Sequence, residues 1–249
     1  MLNILKKLAR SFRKAKSGTT SAVILCAGLS TRFSTDGESK QMATVGNLPV
    51  IVRTVNAFIQ SPSIEEIVLV VPKDDKLKYK KIVEDYNLFK VSKIVSGGAT
   101  RQESALKGVD VISQSSEFVA IHDGARCLVT QEIIENVIDE ARINKAATAA
   151  TPMTDTVKLC DKDGFISKTM DRNYVWNVQT PQVFEKKLYM TCAYLAKEQD
   201  FMATDDCMLA ENAGFKVKLV NTGKENIKIT VKSDILLAEQ IINSREENI

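Results

Sequence analysis

The chain has 249 residues, 44% of them hydrophobic and 26% charged, with a mean hydropathy of −0.10, which excludes collagen, coiled coil and extensive disorder. At this length folding hides roughly 70–75% of the surface of the unfolded chain, enough for one large core without disulfide or metal staples. The formal charge of +3 is uneven: Lys6, Lys7, Arg10, Arg13, Lys14 and Lys16 precede any acid, and without them 28 basic residues face 31 acidic ones, so the body is mildly acidic and the sequence pI of about 8.5 does not point to a nucleic-acid partner.

Residues 1–19 read as a basic N-terminal extension. Met1, Leu5, Leu8 and Phe12 recur at helical spacing opposite the basic side chains, a pattern that favours an anionic membrane surface, although a solvated extension is the simpler expectation. No run approaches 18 consecutive apolar residues, and the first residues lack the apolar core and small-residue cleavage site of a secretory signal. A cytoplasmic protein with no stable membrane insertion is expected. Cys26, Cys127, Cys160, Cys192 and Cys207 form an odd set without a C-x-x-C pair, and His122 is the single histidine, which argues for a reducing compartment and against a Cys/His zinc site.

From Ser21 onward β-branched runs alternate with helical periodicity, the signature of βαβ units. Strands are predicted at 22–26, 66–71, 91–95, 118–122 and 146–151, with helices near 50–59, 74–86, 101–112 and 131–144. Several strands lack polar alternation, as strands covered on both faces should. The expected fold is α/β, a doubly wound, mostly parallel, Rossmann-like sheet formed by one domain over residues 20–249. The regularity breaks at Pro152. Residues 154–178 carry Asp161-Lys162-Asp163-Gly164 between extended segments and read as a β-hairpin, a projecting arm over about 153–178. A lone two-stranded ribbon is marginal in water, so a homodimer joined through the arm is expected. Helical patterns resume at 184–197 and 205–213, a strand follows at 216–220, and a last helix at 233–243 is expected to be capped by Ser233.

In an open α/β sheet ligands bind beyond the carboxyl ends of the strands. After the first strand come Ala27-Gly28-Leu29-Ser30-Thr31-Arg32 and then Lys40-Gln41. Small residues let backbone N–H groups approach phosphate oxygens, and Arg32 and Lys40 can neutralise a polyphosphate from two sides. Each close pair of opposite charges gains about 4 kcal/mol at an effective dielectric of 20, before desolvation. Taken singly, either cation reads equally well as a solvated surface charge. Neither G-x-G-x-x-G nor G-x-x-x-x-G-K-[ST] is present, which weakens dinucleotide and P-loop readings. After the third strand, Ser96-Gly97-Gly98-Ala99-Thr100-Arg101 precedes Ser104. Adjacent glycines allow a base to lie against backbone, or simply form a strand-to-helix turn. The fourth strand ends in His122-Asp123-Gly124-Ala125-Arg126, a carboxylate and a guanidinium able to orient ribose, Mg²⁺ or phosphate, or to form a structural salt bridge. His122 reads as a packing residue.

These segments, with Asp155-Thr156-x-Lys158, Asp171-Arg172, Gln179-Thr180-Pro181-Gln182, Thr204-Asp205 and Asn226-Ile227-Lys228, carry a resemblance over about residues 21–243. In that order they resemble the 2-C-methyl-D-erythritol 4-phosphate cytidylyltransferase family. The resemblance implies Mg²⁺-assisted transfer of a cytidylyl group from CTP to a sugar-alcohol phosphate, with release of pyrophosphate, by a homodimer joined through the arm. It assigns Arg32, Lys40 and Lys228 to the triphosphate and its departing charge, and Ala27, Gly28, Gly97, Arg101 and Ser104 to the nucleotide. Asp123 is assigned to nucleotide, acceptor and metal alike. Arg126 and Thr180 would hold the acceptor, while Thr156 and Arg172 would reach its phosphate from the neighbouring subunit.

Simpler readings stand beside these: Lys228 as an edge charge, Arg172 as a pin for the hairpin, Thr156 and Thr180 as β-favouring residues, Ser104 as a solvated helix position, Asp205 as a helix cap and Lys158 as surface. The sequence also departs from the family's pattern. Ser30 replaces a glycine, Ser39 replaces a proline before the lysine, the Arg32-to-Lys40 spacing is one residue long, Cys26 and Cys127 replace alanine and proline, and Gly98 stands where an acid can occur. A relative, ribitol-5-phosphate cytidylyltransferase, shares the reaction with a different acceptor; Asn177-Val178 before Gln179-Thr180 lacks the glycine associated with it. A catalytically silent nucleotide-binding scaffold is the remaining alternative, opposed by the presence of Arg32, Lys40 and Lys228.

Overall fold

The computed structural model describes residues 18–28, 33 and 39–247; the basic extension before Gly18 lies outside them. The elements in chain order are β1 (Thr20–Leu25), β2 (Thr44–Val45), β3 (Leu48–Pro49), α1 (Val50–Gln60), β4 (Ile64–Val71), α2 (Lys76–Asp85), β5 (Val91–Ser96), α3 (Arg101–Val109), β6 (Phe118–Asp123), α4 (Gln131–Asn144), β7 (Ala146–Pro152), β8 (Lys158–Cys160), β9 (Ile166–Thr169), β10 (Trp176–Glu185), α5 (Lys186–Glu198), α6 (Asp206–Asn212), β11 (Lys218–Asn221) and α7 (Ser233–Glu246). Seven strands form one sheet in the order β11-β7-β10-β6-β1-β4-β5. All run parallel except β10, which is antiparallel to both β6 and β7.

Period-two alternation of a strand sends successive side chains to opposite faces, and here both faces are dry. Along β1, Ala22 and Ile24 join a core with Phe58 of α1, Tyr79 of α2 and Ile134 of α4. Val23 and Leu25 face a second core with Ala105 and Val109 of α3 and Tyr189 of α5. Helices therefore cover both sides of the sheet, which explains the continuous apolar strands. A third cluster joins Ala125, Leu128 and Ile229 to Ala238 of α7. The chain leaves β1 for β4 on one side and later crosses back to β6 on the other. That reversal opens a crevice over the end of β1.

Strand β10 departs from the sequence-based expectation of an arm ending at 178 and a helical pattern from 184. Pro181 inside the run argues against a central strand because it cannot donate to the ladder. The register shift between Val178 and Gln182 accommodates it, and side chains serve the displaced backbone: Asn226 Nδ2 donates to Thr180 O at 2.8 Å and Thr148 Oγ1 to Gln179 O at 3.2 Å. Phe184 belongs to this strand, and α5 starts only at Lys186. Ser233 also does not cap the last helix. It is the first helical residue, one position too late, and Asp234 Oδ2 instead accepts from the N–H groups of Thr230 at 2.7 Å and Val231 at 2.9 Å.

The hairpin of the arm is present as β8 and β9. Asp161 Oδ1 accepts from Asp163 N at 3.0 Å and Phe165 N at 2.9 Å, and Gly164 takes a φ of +88°, where glycine carries no Cβ penalty. The arm leaves Leu159, Phe165, Ile166 and Tyr174 exposed.

Helix α3, which starts at the crevice, rides close on the sheet at Gly108. A Cβ there would lie 2.4 Å from Val23 Cγ1 and 2.8 Å from Val70 Cγ2. Gly108→Ala is expected to destabilise the fold by ~1–3 kcal/mol through overpacking, despite alanine's better helix propensity; a urea midpoint equal to or above the wild type would contradict this close approach.

Candidate functional site

A cleft of about 290 Å³ lies over the carboxyl ends of β1, β5 and β6, lined among others by Ala27, Gly28, Lys40, Arg101, Asp123 and Lys228. Among the described residues, its lining cations Lys40, Arg101 and Lys228 outnumber its one carboxylate, Asp123. A larger hollow of about 1400 Å³ opens at the opposite end of the strands, around Ser116, Lys145 and Glu185. There Lys145 and Glu185 pair with each other at 3.6 Å; the smaller cleft is the one at the carboxyl ends of the strands, where open α/β sheets bind ligands.

Asp123 ends β6 and its side chain is only 12% exposed. Lys228 Nζ donates to its Oδ2 at 2.7 Å, Arg101 Nε to its Oδ1 at 3.4 Å, and Arg126 Nε stands 3.9 Å from Oδ2. Burial alone would raise the carboxyl's pKa, but the fields of Arg101, Lys228 and Arg126 hold it below the usual carboxylate range. Arg126 is further fixed by donation from Nη1 to Asn226 O at 2.8 Å. Burial lowers its pKa against the pull of Asp123.

The backbone under Asp123 is locked by Thr180 and His122. Asp123 N donates to Thr180 Oγ1 at 3.0 Å, so the hydroxyl proton is directed to His122 Nδ1 at 3.1 Å, and Nε2–H faces Arg126 O at 3.2 Å. Both ring nitrogens are thereby occupied in the neutral form, and burial pushes the imidazole down to about 3. His122 is the packing residue the sequence suggested, against the Phe58 ring at 4.9 Å. Thr180 does not line the cleft; it supports Asp123 from behind.

On the opposite wall, Thr100 caps α3 by accepting from Glu103 N at 3.1 Å, and Glu103 Oε2 accepts from Ala99 N at 2.9 Å. Ser104 is buried rather than solvated; its Oγ donates to Thr100 O at 2.8 Å and accepts from Gly98 N at 3.0 Å. Gly97 is wedged behind this turn, since a Cβ would lie 2.4 Å from the Ala27 Cβ and 2.8 Å from Ser104 Oγ. Gly98, Ala99 and Thr100 line the cleft in front of it. Ala27 and Gly28 form the facing wall, and Gln41, also buried, donates from Nε2 to Cys26 O at 3.3 Å.

The candidate residues Ala27, Gly28, Lys40, Arg101, Ser104, Asp123 and Lys228 thus share one cleft. Arg126, Thr180 and Gly97 sit immediately behind it. Thr156 and Arg172 do not line it; both lie on the arm, where Arg172 Nη1 donates to Thr154 O at 3.3 Å. Arg32 lies outside the described residues. Asp205 caps α6 as expected, accepting from Met208 N at 2.9 Å, and Lys158 is exposed with its Nζ on Thr169 Oγ1 at 2.7 Å.

The sequence analysis missed Asp206. Its carboxylate is fully buried and accepts from Arg101 Nη1 at 2.7 Å and from the Tyr189 hydroxyl at 3.1 Å. The double acid Asp205-Asp206 was a usable signal, because a cap needs only one carboxylate. Among the described residues no group of three or more metal-ligating side chains occurs. A hard cation bound through one carboxylate and substrate phosphates does not need one.

A Rossmann-like sheet with a small-residue, cation-lined crevice at its topological switch point defines a protein of the nucleotide-binding α/β class. The sequence model of the 2-C-methyl-D-erythritol 4-phosphate cytidylyltransferase family matches residues 20–244. The chain belongs to that family. A protein of that description from Caldanaerobacter subterraneus subsp. tengcongensis is 44% identical over 220 residues, 88% of this chain and 96% of that one. A solved structure described as 4-diphosphocytidyl-2C-methyl-D-erythritol synthase, from Anaerococcus prevotii, superposes with a TM-score of 0.81 at 34% identity, covering 92% of this chain and 98% of that one. The 2-C-methyl-D-erythritol 4-phosphate cytidylyltransferase structure from Thermus thermophilus gives 0.73 at 25% identity, covering 90% and 98%.

Asp123→Asn removes the carboxylate that pairs with Lys228 and Arg126 and shares Arg101 with Asp206. At pH 7 it is expected to cost ~3–5 kcal/mol of stability, the usual penalty for breaking a buried ionic group. Because the folded-state pKa of Asp123 is depressed, its contribution is present above the unfolded-state pKa and is lost as pH falls through the folded value. The gap between wild type and variant should therefore close on acidification below about pH 4. Urea unfolding at pH 7 and at pH 3.5 measures both numbers, and a gap that widens in acid contradicts the assignment.

Proposed function

We infer that this chain transfers the cytidylyl group of CTP to 2-C-methyl-D-erythritol 4-phosphate and releases pyrophosphate, a step of non-mevalonate isoprenoid biosynthesis. The observation that carries this reading is a family match across nearly the whole chain, joined to a cleft in which Lys40, Arg101 and Lys228 surround Asp123. In the reaction a phosphate oxygen of the acceptor attacks the α-phosphorus of CTP, a new P–O bond forms, and the bond to the β-phosphate oxygen breaks. The nucleophile is already anionic, so no general base is required. This agrees with a His122 that is neutral and hydrogen-bonded at both nitrogens.

The chemical difficulty is bringing two polyanions together and accepting the charge of departing pyrophosphate. Lys40 and Lys228, together with Arg32, are proposed to bind the triphosphate and that leaving charge. Ala27, Gly28, Gly98 and Ser104 are proposed as the small-residue wall for cytosine and ribose, with Arg101 at its edge and Gly97 packed behind it. Asp123 faces the acceptor side, with Arg126 behind it and Thr180 holding the Asp123 backbone rather than touching the acceptor. Asp123 is also the proposed protein ligand for Mg²⁺, which when bound neutralises charge on phosphate oxygens. In this arrangement Lys228 occupies Asp123 Oδ2 and must yield that oxygen as it engages phosphate.

Thr156 and Arg172 are proposed to reach the acceptor phosphate of a second copy of the chain, which makes a homodimer functional. Their place on an arm away from the chain's own cleft, together with the exposed Leu159, Phe165, Ile166 and Tyr174, supports this. Residues 20–249 act as a single catalytic domain with about 153–178 as the dimerisation arm and residues 1–19 as an extension. Among the described residues no helix is long and apolar enough to cross a membrane, and five unpaired cysteines fit a cytoplasmic location.

Pyrophosphate release from CTP, with methylerythritol phosphate and ribitol phosphate offered separately, tests the reading; turnover with ribitol phosphate alone would move the assignment to that relative's acceptor. Lys40→Ala and Lys228→Ala should each lower turnover by roughly 10²–10³ with the fold intact; wild-type-like rates would remove those side chains from the mechanism. For the arm, an Arg172→Ala protein mixed with a Lys40→Ala protein should regain activity through hybrid dimers, each carrying one site with both residues. No recovery after demonstrated subunit exchange refutes the shared site.

A further inference from the structure

Arg101 is held from two sides, and the second holder is not part of the cleft. Its Nε faces Asp123 Oδ1 at 3.4 Å, while Nη1 makes the shorter contact, 2.7 Å, to Asp206 Oδ2. The Asp206 side chain has no exposure at all and does not line the cleft, so it cannot touch a ligand there. It is fixed in turn. The buried Tyr189 hydroxyl donates to Asp206 Oδ1 at 3.1 Å, and Asp206 N donates to Gln182 Oε1 at 3.0 Å. Gln182 lies on β10, where its amide nitrogen also donates to Asp205 Oδ2 at 3.0 Å. A carboxylate taken fully out of water is costly unless paired and hydrogen-bonded, and this one is paired with the Arg101 guanidinium and hydrogen-bonded by the Tyr189 hydroxyl of α5.

We propose that Asp206, seated on Tyr189, is a positioning residue for cytidylyl transfer: it draws the Arg101 guanidinium back so that Asp123 keeps one oxygen for the group arriving through Lys228. The physical reason is competition for one planar fork. A guanidinium offers five N–H donors and pairs bidentately with a single carboxylate when nothing else claims it. Arg101 released from Asp206 would turn both arms onto Asp123. Asp123 would then be more fully neutralised by Arg101, and Lys228 would be displaced from its 2.7 Å contact. Asp206 thus acts on the reacting groups only through Arg101. This inference rests on the reading of the cleft as a cytidylyltransferase site.

The test uses Asp206→Asn and Tyr189→Phe in the full chain, with Arg101→Gln and the Arg101→Gln/Asp206→Asn pair. Asp206→Asn is expected to lower kcat by about 10²-fold, the scale of a misplaced positioning group, with KM for CTP changed less than about threefold. Tyr189→Phe, which removes one hydroxyl and keeps the packing, is expected to lower kcat about fivefold and serves where the first variant fails to fold. The double variant should be no slower than Arg101→Gln alone, since residues acting through one another are not additive. Wild-type kcat in both single variants, or fully additive losses in the pair, overturns the proposal. A readout independent of activity is the Arg101 Nε–H resonance, identified by its disappearance in Arg101→Gln. It should exchange slowly with solvent in the wild type and shift and exchange faster in Asp206→Asn and Tyr189→Phe. If the wild-type protein releases no pyrophosphate from CTP, the functional reading has failed, and an unaltered Arg101 resonance in both variants then separately disproves the positioning role.

Discussion

The site is organised by the electrostatic balance around Asp123. Three cations delivered by segments spread along the chain, Arg101, Arg126 and Lys228, meet at one carboxylate with little water. Like charges a few ångströms apart repel by several kcal/mol even at an effective dielectric of 20, so they would not gather in the ligand-free protein without Asp123 in their midst and the buried Asp206 behind Arg101. Asp123 keeps them assembled and charged. In the proposed reaction a triphosphate entering the cleft would meet Arg101 and Lys228 already in place, the cost of organising them having been met when the chain folded.

That carboxylate is placed by the ordinary physics of a parallel sheet. β6 runs buried between β1 and β10, and Asp123 is its last residue, where the backbone must find partners beyond the ladder. Thr180 supplies one by accepting from Asp123 N, and the same hydroxyl fixes the tautomer of His122. Thr180 belongs to β10, whose first residues leave the arm. The sheet, the base of the cleft and the hairpin are therefore one continuous mechanical unit. A displacement of the arm is carried along β10 to Thr180, whose hydroxyl is hydrogen-bonded to the Asp123 N–H. If the arm joins two copies, the quality of that contact bears on the site as well as on assembly.

Much of the fold was legible because its signals were local. Apolar runs such as Ile67-Val68-Leu69-Val70-Val71 require cover on two faces, Thr100 and Thr130 cap helices as their residue type predicts, and Asp161-to-Gly164 makes its turn from its own side chains. The longest element that escaped, β10, did so for a physical reason. Pro181 is unfavourable in a central strand, and the compensation comes from Asn226 and Thr148, far along the chain and unrecognisable in a local reading. Asp206 escaped similarly. Beside a capping Asp205 it looked redundant, and only the approach of α3 and α5 shows it buried against Arg101 and Tyr189.

By itself the sequence determined the residue types of the cleft, their order, the class of sheet that carries them and the family the chain resembles, because small loops, fixed cations and strand-end carboxylates are written in contiguous segments. The tertiary structure decided which of those groups share a charge balance and which merely stand behind it: Lys228 on Asp123, Thr180 beneath the strand end, Gly97 wedged against Ala27, and Asp206 gripping Arg101. Those outcomes depend on distances between segments brought together only by packing helices on both faces of the sheet. Coulomb energy and hydrogen bonding act over a few ångströms, whatever the separation along the chain.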